Sequence, residues 1–396
     1  MVGLDTNTRE LFEIVNSKEE LQKFYDKHRY EFMIGYNSRG YDQWIMKGIL
    51  CDFNPYEISH WIIKKKRKGH EFSNLLHKFP ILNYDCMVFG KSLKKLEGFM
   101  GHDIRETDVP FDIDRKLTTE EIAQTLKYCG HDVMETFHVF VENAQDFETQ
   151  MDIIKQYKLP ITAVSKTQTQ LSAMVLGASK REYNDEFKIT IPDTLRLGKY
   201  EHLRDYYMDW SENVQDYKAK LTTEIAGVLH ELGFGGLHGS RKGYIGEGYY
   251  ILADVESYYP SLMIAYNFFS RSMPEWGKQS YIQMYNHRLE LKAQKKKKEQ
   301  APYKLILNKT FGGLKDEYND LYDPVKANNI CISGQLFLID LIDKLESKCQ
   351  IIQSNTDGVL LKLYRKEDYK EVMAICKESS ERTKMKLGFD FYRKVV

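Results

Sequence analysis

The sequence predicts an α/β (α+β) protein of two or three domains, and three observations lead to that prediction. The first 165 or so residues alternate strand-like and helix-like stretches. A helical-hairpin pattern follows between residues 281 and 313. Two β-prone runs, 349–353 and 359–363, are joined by an Asp-Gly turn near the end of the chain. A chain of 396 residues is long enough for this number of domains.

Composition limits the function classes. Lys plus Arg and Asp plus Glu both total 57, so the net charge is near zero. This argues against a tail-like, non-specific nucleic-acid binder and leaves open a local basic groove with a local acidic centre. The six cysteines form no CxxC, which predicts reduced thiols in a cytoplasmic protein, with neither a disulfide framework nor a zinc site. The sequence contains no long apolar run, so a membrane span is not predicted.

The N-terminal stretch has two places with candidate chemistry. A predicted buried strand, 32–36, leads into a helix that begins near Gln43, so Asp42 lies near a helix start, where an N-terminal cap is the simpler explanation. Residues 118–121 predict a capped helix that carries Tyr128 and Asp132 on one face. The simpler explanation of Tyr128 and Asp132 is an exposed i,i+4 pair on a helix. His131 is predicted to be a surface or packing histidine.

The middle of the chain leads up to an acidic residue. Residues 222–232 predict a helix, and the glycine-rich segment 233–239 predicts a turn or a backbone that something approaches closely. The β-prone run 249–253 then predicts a strand buried on both faces, with Asp254 at its end. Residues 257–261 are predicted to break the strand, with Pro260 fixing the turn before a helix. A carboxylate held this way is rigid and reaches a cleft, as a divalent metal ligand must.

A helical hairpin with cationic residues follows. Its first helix, 281–298, carries Arg288 and Lys292 four residues apart, although a solvated basic face would explain that pair. The second helix is predicted to start near Pro302 and to stop at 312–313. Lys304, Asn308 and Phe311 lie near one stripe of it. Facing cations on such a hairpin suit a polyphosphate.

The last third predicts a polar loop at 316–329, a buried helix at 330–345, and a β-hairpin with Asp357 at its tip. Taken alone, Asp357 is explained as a turn residue. A surface helix at 366–383 and a strand at 389–392 follow. Together, Asp254 and Asp357 on rigid strands could hold two Mg²⁺ ions about 3.5–4 Å apart, with Mn²⁺ as a substitute.

Several short segments, in order, resemble the motifs of family B DNA polymerases, in particular those of bacteriophages. Asp254-Val-Glu-Ser-Tyr-Tyr-Pro-Ser261 resembles motif A, Lys304-Leu-Ile-Leu-Asn308-Lys-Thr-Phe-Gly312 resembles motif B, and Asn355-Thr-Asp-Gly358 resembles motif C. Phe234-Gly-Gly236 is similar to the Gly-Gly loop that contacts the template strand. Two further elements resemble the second and third motifs of the proofreading 3′–5′ exonuclease, and they comprise Asn37, Tyr41, Asp42, Tyr128 and Asp132.

The resemblance implies a domain order. Residues 1–165 would be a truncated, RNase H-like 3′–5′ exonuclease remnant, and 166–265 a linker with the first part of a polymerase palm. Residues 266–325 would form helical-hairpin fingers, and 326–396 the second part of the palm and its antiparallel sheet.

The resemblance also implies roles. Asp254 and Asp357 would bind the metal ions, with the Val255 carbonyl as a third ligand. Tyr259 would lie under the sugar and exclude a ribose 2′-OH. Three groups complete the implied site: Arg288, Lys304 and Lys292 on the triphosphate, Asn308 and Phe311 beside the nascent base pair, and Gly235, Gly236 and Thr356 on DNA. The implied partners are primer-template DNA and dNTPs.

Three departures from the family pattern modify these expectations. Asn355 stands where Asp is frequent, which predicts weaker metal binding with activity retained. No D-x-E pair precedes Asn37, so two-metal hydrolysis is not expected. The thumb that should follow residue 394 is missing, which predicts a partial or split polymerase with the thumb on a second chain.

The spacing of the motifs bears on priming. About 42 residues separate Ser261 from Lys304, and about 41 separate Gly313 from Asn355. This leaves no room for the insertions of protein-primed members, so no terminal protein is expected. Two alternatives to a polymerase core remain open: a nuclease with a polymerase remnant, and a non-catalytic subunit of a split enzyme.

Overall fold

The computed structural model describes residues 1–110, 113, 115–209 and 215–396. The chain divides into two compact units, Met1–Thr167 and Gln168–Val396. Helices and strands both contribute to each unit, so the α+β class predicted from the sequence is confirmed.

The first unit combines helices with two small strand pairs. Its elements are β1 (Val2–Asp5), β2 (Glu10–Glu13), α1 (Lys18–His28), β3 (Met33–Gly35), α2 (Asp42–Leu50), α3 (Pro55–Ile63), α4 (Asn74–Lys78), β4 (Asn83–Asp85), α5 (Leu93–Met100), α6 (Thr119–Glu142) and α7 (Ala144–Gln156). Strands β1 and β2 pair antiparallel, whereas β3 and β4 pair parallel.

Local sequence explains where α6 begins but not the length and burial of β3. The Thr118 hydroxyl accepts the Glu121 N–H, and the Glu121 carboxylate accepts the Thr118 N–H, so α6 begins at the predicted capping box. The strand predicted at 32–36 is shorter than expected and only half-buried. Its one neighbouring strand among the described residues is β4, and the prediction of a buried strand was wrong.

The second unit is built on a mixed order of helices and strands. Its elements are α8 (Gln168–Val175), α9 (His202–Met208), β5 (Leu221–Ile225), β6 (Val228–Leu232), β7 (His238–Ser240), β8 (Gly246–Val255), α10 (Tyr258–Ala265), α11 (Glu275–Ala293), α12 (Lys297–Lys315), α13 (Pro324–Leu345), β9 (Cys349–Ser354), β10 (Gly358–Leu363), α14 (Tyr369–Thr383) and β11 (Leu387–Val395).

An antiparallel sheet organises the second unit. Among the described residues it has seven strands in the order β11-β8-β10-β9-β7-β6-β5. The strand that carries Asp254, β8, therefore lies between β11 and β10. Strands β9 and β10 form the hairpin that the sequence predicted.

Helix α13 is the core of this unit. It contacts α10, α12, α14 and β10, and most of its residues are buried. In the described part of the chain it is the one helix long and apolar enough to cross a membrane, but 94% of its apolar window is buried inside the protein. A core helix of a globular unit has this composition, so burial accounts for its hydropathy.

Several predicted boundaries were wrong. Residues 222–232 form strands β5 and β6, because burial alternates along β6 with period two and Ala226 and Gly227 make a positive-φ turn. Helix α12 begins at Lys297, with Pro302 inside it, since Lys, Glu and Gln are good helix formers. It also continues past Gly312 and Gly313 to Lys315.

Three other elements start earlier than predicted. Helix α11 begins at Glu275 rather than at 281, and α13 begins at Pro324 rather than at 330. Pro324 is favoured at a first helical position, where its missing N–H has no partner to lose. Helix α10 begins at Tyr258, so Pro260 lies in its first turn and not in the preceding loop.

Candidate active site

Asp254 lies one residue before the end of β8, between two glycines. Gly358 of β10 and Gly388 of β11 are its partners on either side. A Cβ atom on Gly358 would lie 1.8 Å from Asp254 Oδ1, so the carboxylate occupies the space that a side chain there would need. The Asp254 side chain is half-buried, and its position is fixed by the register of the sheet.

Asp357 lies beside it, in the turn between β9 and β10. The Asp357 carbonyl accepts the Val255 N–H at 2.8 Å, which ties its backbone to the residue after Asp254. Its side chain is exposed. The structure therefore brings together the two acidic residues that the sequence placed more than a hundred positions apart.

Asn355 holds the turn that presents Asp357. Its Oδ1 accepts the backbone N–H of Gly358 at 2.7 Å and that of Asp357 at 3.2 Å. This is an Asx-type turn, in which a short side chain replaces a backbone acceptor. The departure from Asp at this position thus has a structural role, and an amide oxygen fills it without adding charge.

Negative charge accumulates at the site. Partial burial, then repulsion from Asp357 and from Asp390, raises the pKa of Asp254. Asp390 stands two residues beyond Gly388 on β11, on the same face of the sheet as Asp254. Sequence reasoning missed Asp390, because its alternation with Phe389 and Phe391 shows a strand face without showing which strand is next to it. Asp390 therefore adds to the negative potential at Asp254, and such a potential attracts cations.

The segment that follows β8 contains an uncommon backbone conformation and a cationic neighbour. Ser257 is left-handed, with φ 54°. Arg288 of α11 donates from Nη1 to the Ser257 hydroxyl at 2.7 Å. The Arg288 Nε is buried without a hydrogen-bond partner in the described chain, and burial lowers the pKa of this guanidinium. A partly desolvated guanidinium whose Nε is left without a partner is suited to an anionic ligand.

The remaining predicted polar residues lie on the two helices that form the hairpin. Lys292 is one turn beyond Arg288 on α11, and Lys304 and Asn308 are one turn apart on α12. The three side chains are exposed and make no hydrogen bond or ion pair with any described residue. The two helices contact each other, with the Tyr281 hydroxyl donating to the Leu307 carbonyl at 2.9 Å.

Tyr259 and Phe311 form one flat aromatic surface. Their rings are stacked, with centroids 3.8 Å apart and planes 10° apart. Burial raises the pKa of Tyr259 to about 12, so its hydroxyl stays protonated at neutral pH. The two residues were assigned separate roles from sequence, but their contact leaves no space for a ligand between the rings.

The glycine-rich segment lies next to the turn that carries Asp357. A Cβ on Gly236 would lie 2.9 Å from the Thr356 hydroxyl, whereas Gly235 faces open space. Strands β7 and β9 pair at Gly239 and Ser354. The structure thus places Gly236 and Thr356 in contact, close to the acidic centre.

The exonuclease-like residues of the first unit are arranged differently. Asp42 begins α2 and makes no cap, since Tyr41 is the N-cap residue, so the capping explanation was wrong. The Asp42 side chain reaches solvent, but it stands among protein atoms that displace part of its hydration. This desolvation, followed by repulsion from Asp85, raises the pKa of Asp42. Asp85, which the sequence did not single out, accepts the Asn37 N–H at 2.9 Å.

Asp132 is already paired. Lys94 Nζ donates to Asp132 Oδ1 at 2.8 Å and lies 4.7 Å from the centre of the Tyr128 ring. Burial, followed by the charge of Asp132 and less strongly that of Asp42, raises the pKa of the Cys129 thiol. Asp42 and Asp132 therefore both lie near Cys129. The Asp132 carboxylate, however, is already bound by the ammonium group of Lys94.

Comparison with known proteins supports the architecture. No family model and no curated protein matches the chain. A solved family B DNA polymerase from the hyperthermophilic archaeon Pyrobaculum calidifontis matches with a TM-score of 0.50 at 15% sequence identity. The match covers 97% of this chain and 52% of the polymerase, so the chain spans about half the length of the structure it resembles. The fold is similar to that of a family B DNA polymerase, and identity at this level shows the fold alone.

Proposed function

We propose that the second unit is the catalytic core of a template-directed DNA polymerase, which adds deoxynucleotides to a primer 3′-OH. The observation that carries the proposal is the register of β8 and β10, which pairs Asp254 with Gly358 and so sets it beside Asp357. The similarity of fold to a family B DNA polymerase supports it.

The residues present fit a magnesium site. Carboxylate oxygens are the ligands that Mg²⁺ prefers, and Asp254, Asp357 and the Val255 carbonyl would hold two ions, with Mn²⁺ as a substitute. Partial burial, followed by repulsion from Asp357 and Asp390, raises the pKa of Asp254, and a bound divalent cation would offset that repulsion. Such a metal pair activates the attacking oxygen and stabilises the leaving pyrophosphate.

The protein groups around this centre would position the substrate. Arg288, Lys292 and Lys304 would bind the triphosphate of the incoming dNTP. The buried Arg288 Nε has no hydrogen-bond partner among the described residues, and the two lysines are exposed on the same helical hairpin. Asn308 and the Tyr259–Phe311 surface would border the base and sugar of that nucleotide. Tyr259 would exclude a ribose 2′-OH by contact.

The DNA would lie across the neighbouring turns. Gly235 and Gly236 expose backbone next to Thr356, and we assign these three residues to primer-template binding. The motif resemblance supports a role in bacteriophage DNA replication in the host cytoplasm, with nucleic-acid priming and no terminal protein. The domain identities stay predictions.

Primer extension with a matched acidic control tests the proposal. In Mg²⁺, Asp357→Ala should reduce extension by at least about 10³-fold, as expected for a lost contact of about 4 kcal/mol in the transition state. Asp320→Ala removes an exposed aspartate on the loop after α12 and should leave the rate unchanged. If Asp357→Ala extends a primer like the wild type, the site assignment is wrong.

We also propose that the first unit does not hydrolyse DNA by a two-metal mechanism. Lys94 neutralises Asp132, so a metal ion would have to displace a bonded ammonium group. A labelled 3′ end should persist when the full chain is incubated with Mg²⁺ and no dNTP. Degradation that Asp132→Asn abolishes would contradict this.

A further inference from the structure

A second cluster of metal-binding side chains lies in the first unit. His102 follows α5, and Glu135 and His138 are three residues apart on α6, so they lie on one helix face. One ligand atom from each residue lies within 4.8 Å of the other two. None of the three belongs to the motifs used above.

The carboxylate is the buried centre of this cluster. Glu135 is 5% exposed, with Oε2 at 2.7 Å from His102 Nδ1 and Oε1 at 3.5 Å from His138 Nδ1. Each carboxylate oxygen of Glu135 therefore faces a ring nitrogen of a different histidine.

One ring nitrogen in the cluster, His138 Nδ1, lacks a hydrogen-bond partner among the described residues. His138 Nδ1 is buried and makes no hydrogen bond with any described residue, although it points to Glu135. Leaving a buried nitrogen unpaired costs about 1–3 kcal/mol. The side chains of His102 and His138 are nevertheless 35% and 41% exposed, so other parts of both imidazole rings are accessible to solvent. An ion could therefore reach the cluster from solvent.

We propose that His102, Glu135 and His138 bind a Zn²⁺ ion. Two imidazoles and one carboxylate are a ligand set that Zn²⁺ uses, with water in the fourth position. Ligand atoms in such a tetrahedron are about 3.3 Å apart, so the His102–Glu135 pair at 2.7 Å has to open by about 0.6 Å, and a pair at the 4.8 Å limit has to close by about 1.5 Å. Rotation of two half-exposed imidazoles is enough for that. The ion would tie the segment after α5 to α6.

Neighbouring groups support this arrangement. His131 lies one turn before Glu135 on α6, and its Nε2 is 3.5 Å from Oε2 of the fully buried Glu97. Glu97 also lies 3.3 Å from Lys94. The His102 N–H donates to the Glu97 carbonyl at 3.0 Å, which joins this ion-pair group to the segment that carries His102. The absence of a CxxC pair led us to expect no zinc site, and the site proposed here departs from that expectation by using histidines and a carboxylate in place of cysteine.

Zinc titration of the chelator-treated full chain tests the proposal. Calorimetry should show one strong site in the wild type, and His138→Gln should weaken it at least about tenfold. His60→Gln is the matched control, because His60 is exposed on α3 and outside the cluster. Circular dichroism would check that His138→Gln, a change of a half-exposed residue, keeps the fold.

The ligand atoms can be identified by cobalt substitution. Co²⁺ in the wild-type site should give the visible spectrum of a four-coordinate nitrogen and oxygen site, and His102→Gln should remove it. A sulfur-to-cobalt charge-transfer band would place the metal on cysteine and overturn the proposal. Equal zinc affinity in wild type, His102→Gln and His138→Gln, or no zinc binding by the wild type, would overturn it as well.

Discussion

The space beside Asp254 gives a test of the proposed active site that leaves every charged group in place. In Gly358→Ala, the new methyl group would lie 1.8 Å from Asp254 Oδ1, and contacts under 3.0 Å essentially never occur for real Cβ atoms. The carboxylate or the strand must therefore move by more than about 1 Å. A misplacement of this size costs about 10²-fold in rate, while overpacking costs about 1–3 kcal/mol of folding free energy.

Gly388→Ala is the matched control for this variant. Gly388 pairs with the same aspartate from the other side, but its new methyl group would find its nearest neighbour, Glu256 Cγ, at 3.6 Å, an ordinary contact. Single-turnover primer extension at saturating dNTP should lose about 10²-fold in Gly358→Ala and stay within about twofold of wild type in Gly388→Ala. A Mg²⁺ titration should show weaker activation of the first variant.

Thermal unfolding separates the two effects of Gly358→Ala. A loss of 1–3 kcal/mol lowers the melting temperature by several degrees, about 2–4 °C per kcal/mol for a unit of this size, so assays well below it measure folded enzyme. Wild-type extension by folded Gly358→Ala would refute the reasoning. An equal loss in Gly388→Ala would do so too, because the damage could not then come from contact with the carboxylate.

Three further predictions concern charge, shape and stability. Asp390→Asn removes a negative charge that raises the pKa of Asp254, so the acid limb of the pH–rate profile should move to lower pH; an unmoved limb would show that Asp254 is not the titrating group. Tyr259→Ala should reduce discrimination against ribonucleotides at least about tenfold, a steric contact worth about 1.4 kcal/mol, whereas Tyr259→Phe keeps the ring and should retain it; competition between dNTP and rNTP measures both. Arg271→Met leaves the fully buried Asp323 without its 2.7 Å ion-pair partner and should cost about 3 kcal/mol in urea unfolding. Adding Asp323→Asn should recover part of that cost, and full additivity of the two changes would argue against the pair.

Sequence reasoning worked best where local chemistry specifies structure. The capping box at Thr118 and the Asp-Gly turn after Thr356 were predicted at the positions where they occur. It failed at 222–232, because a short segment rich in apolar residues is compatible with either a helix or a strand. It also failed at Pro302, which was predicted to start a helix but lies inside α12 among helix-forming neighbours. Propensity is weak there, and pairing with a distant strand or packing on a neighbouring helix determines the outcome.

The candidate site divides in the same way. Asp254 and Asp357 could be chosen from sequence, since each follows or joins β-prone runs in a recognisable motif. Asp390 and Lys94 could not, because their importance comes only from the neighbours that the fold gives them.

The sequence by itself determined which residues carry charge, where strands and helices could form, and that two acidic positions stand in motif-like surroundings. Only the tertiary structure decided that β8 lies between β10 and β11, and therefore which groups share one electrostatic environment. The physical reason is that hydrogen-bonded pairing of strands distant in sequence fixes side-chain positions to within a residue, and no local pattern contains that register.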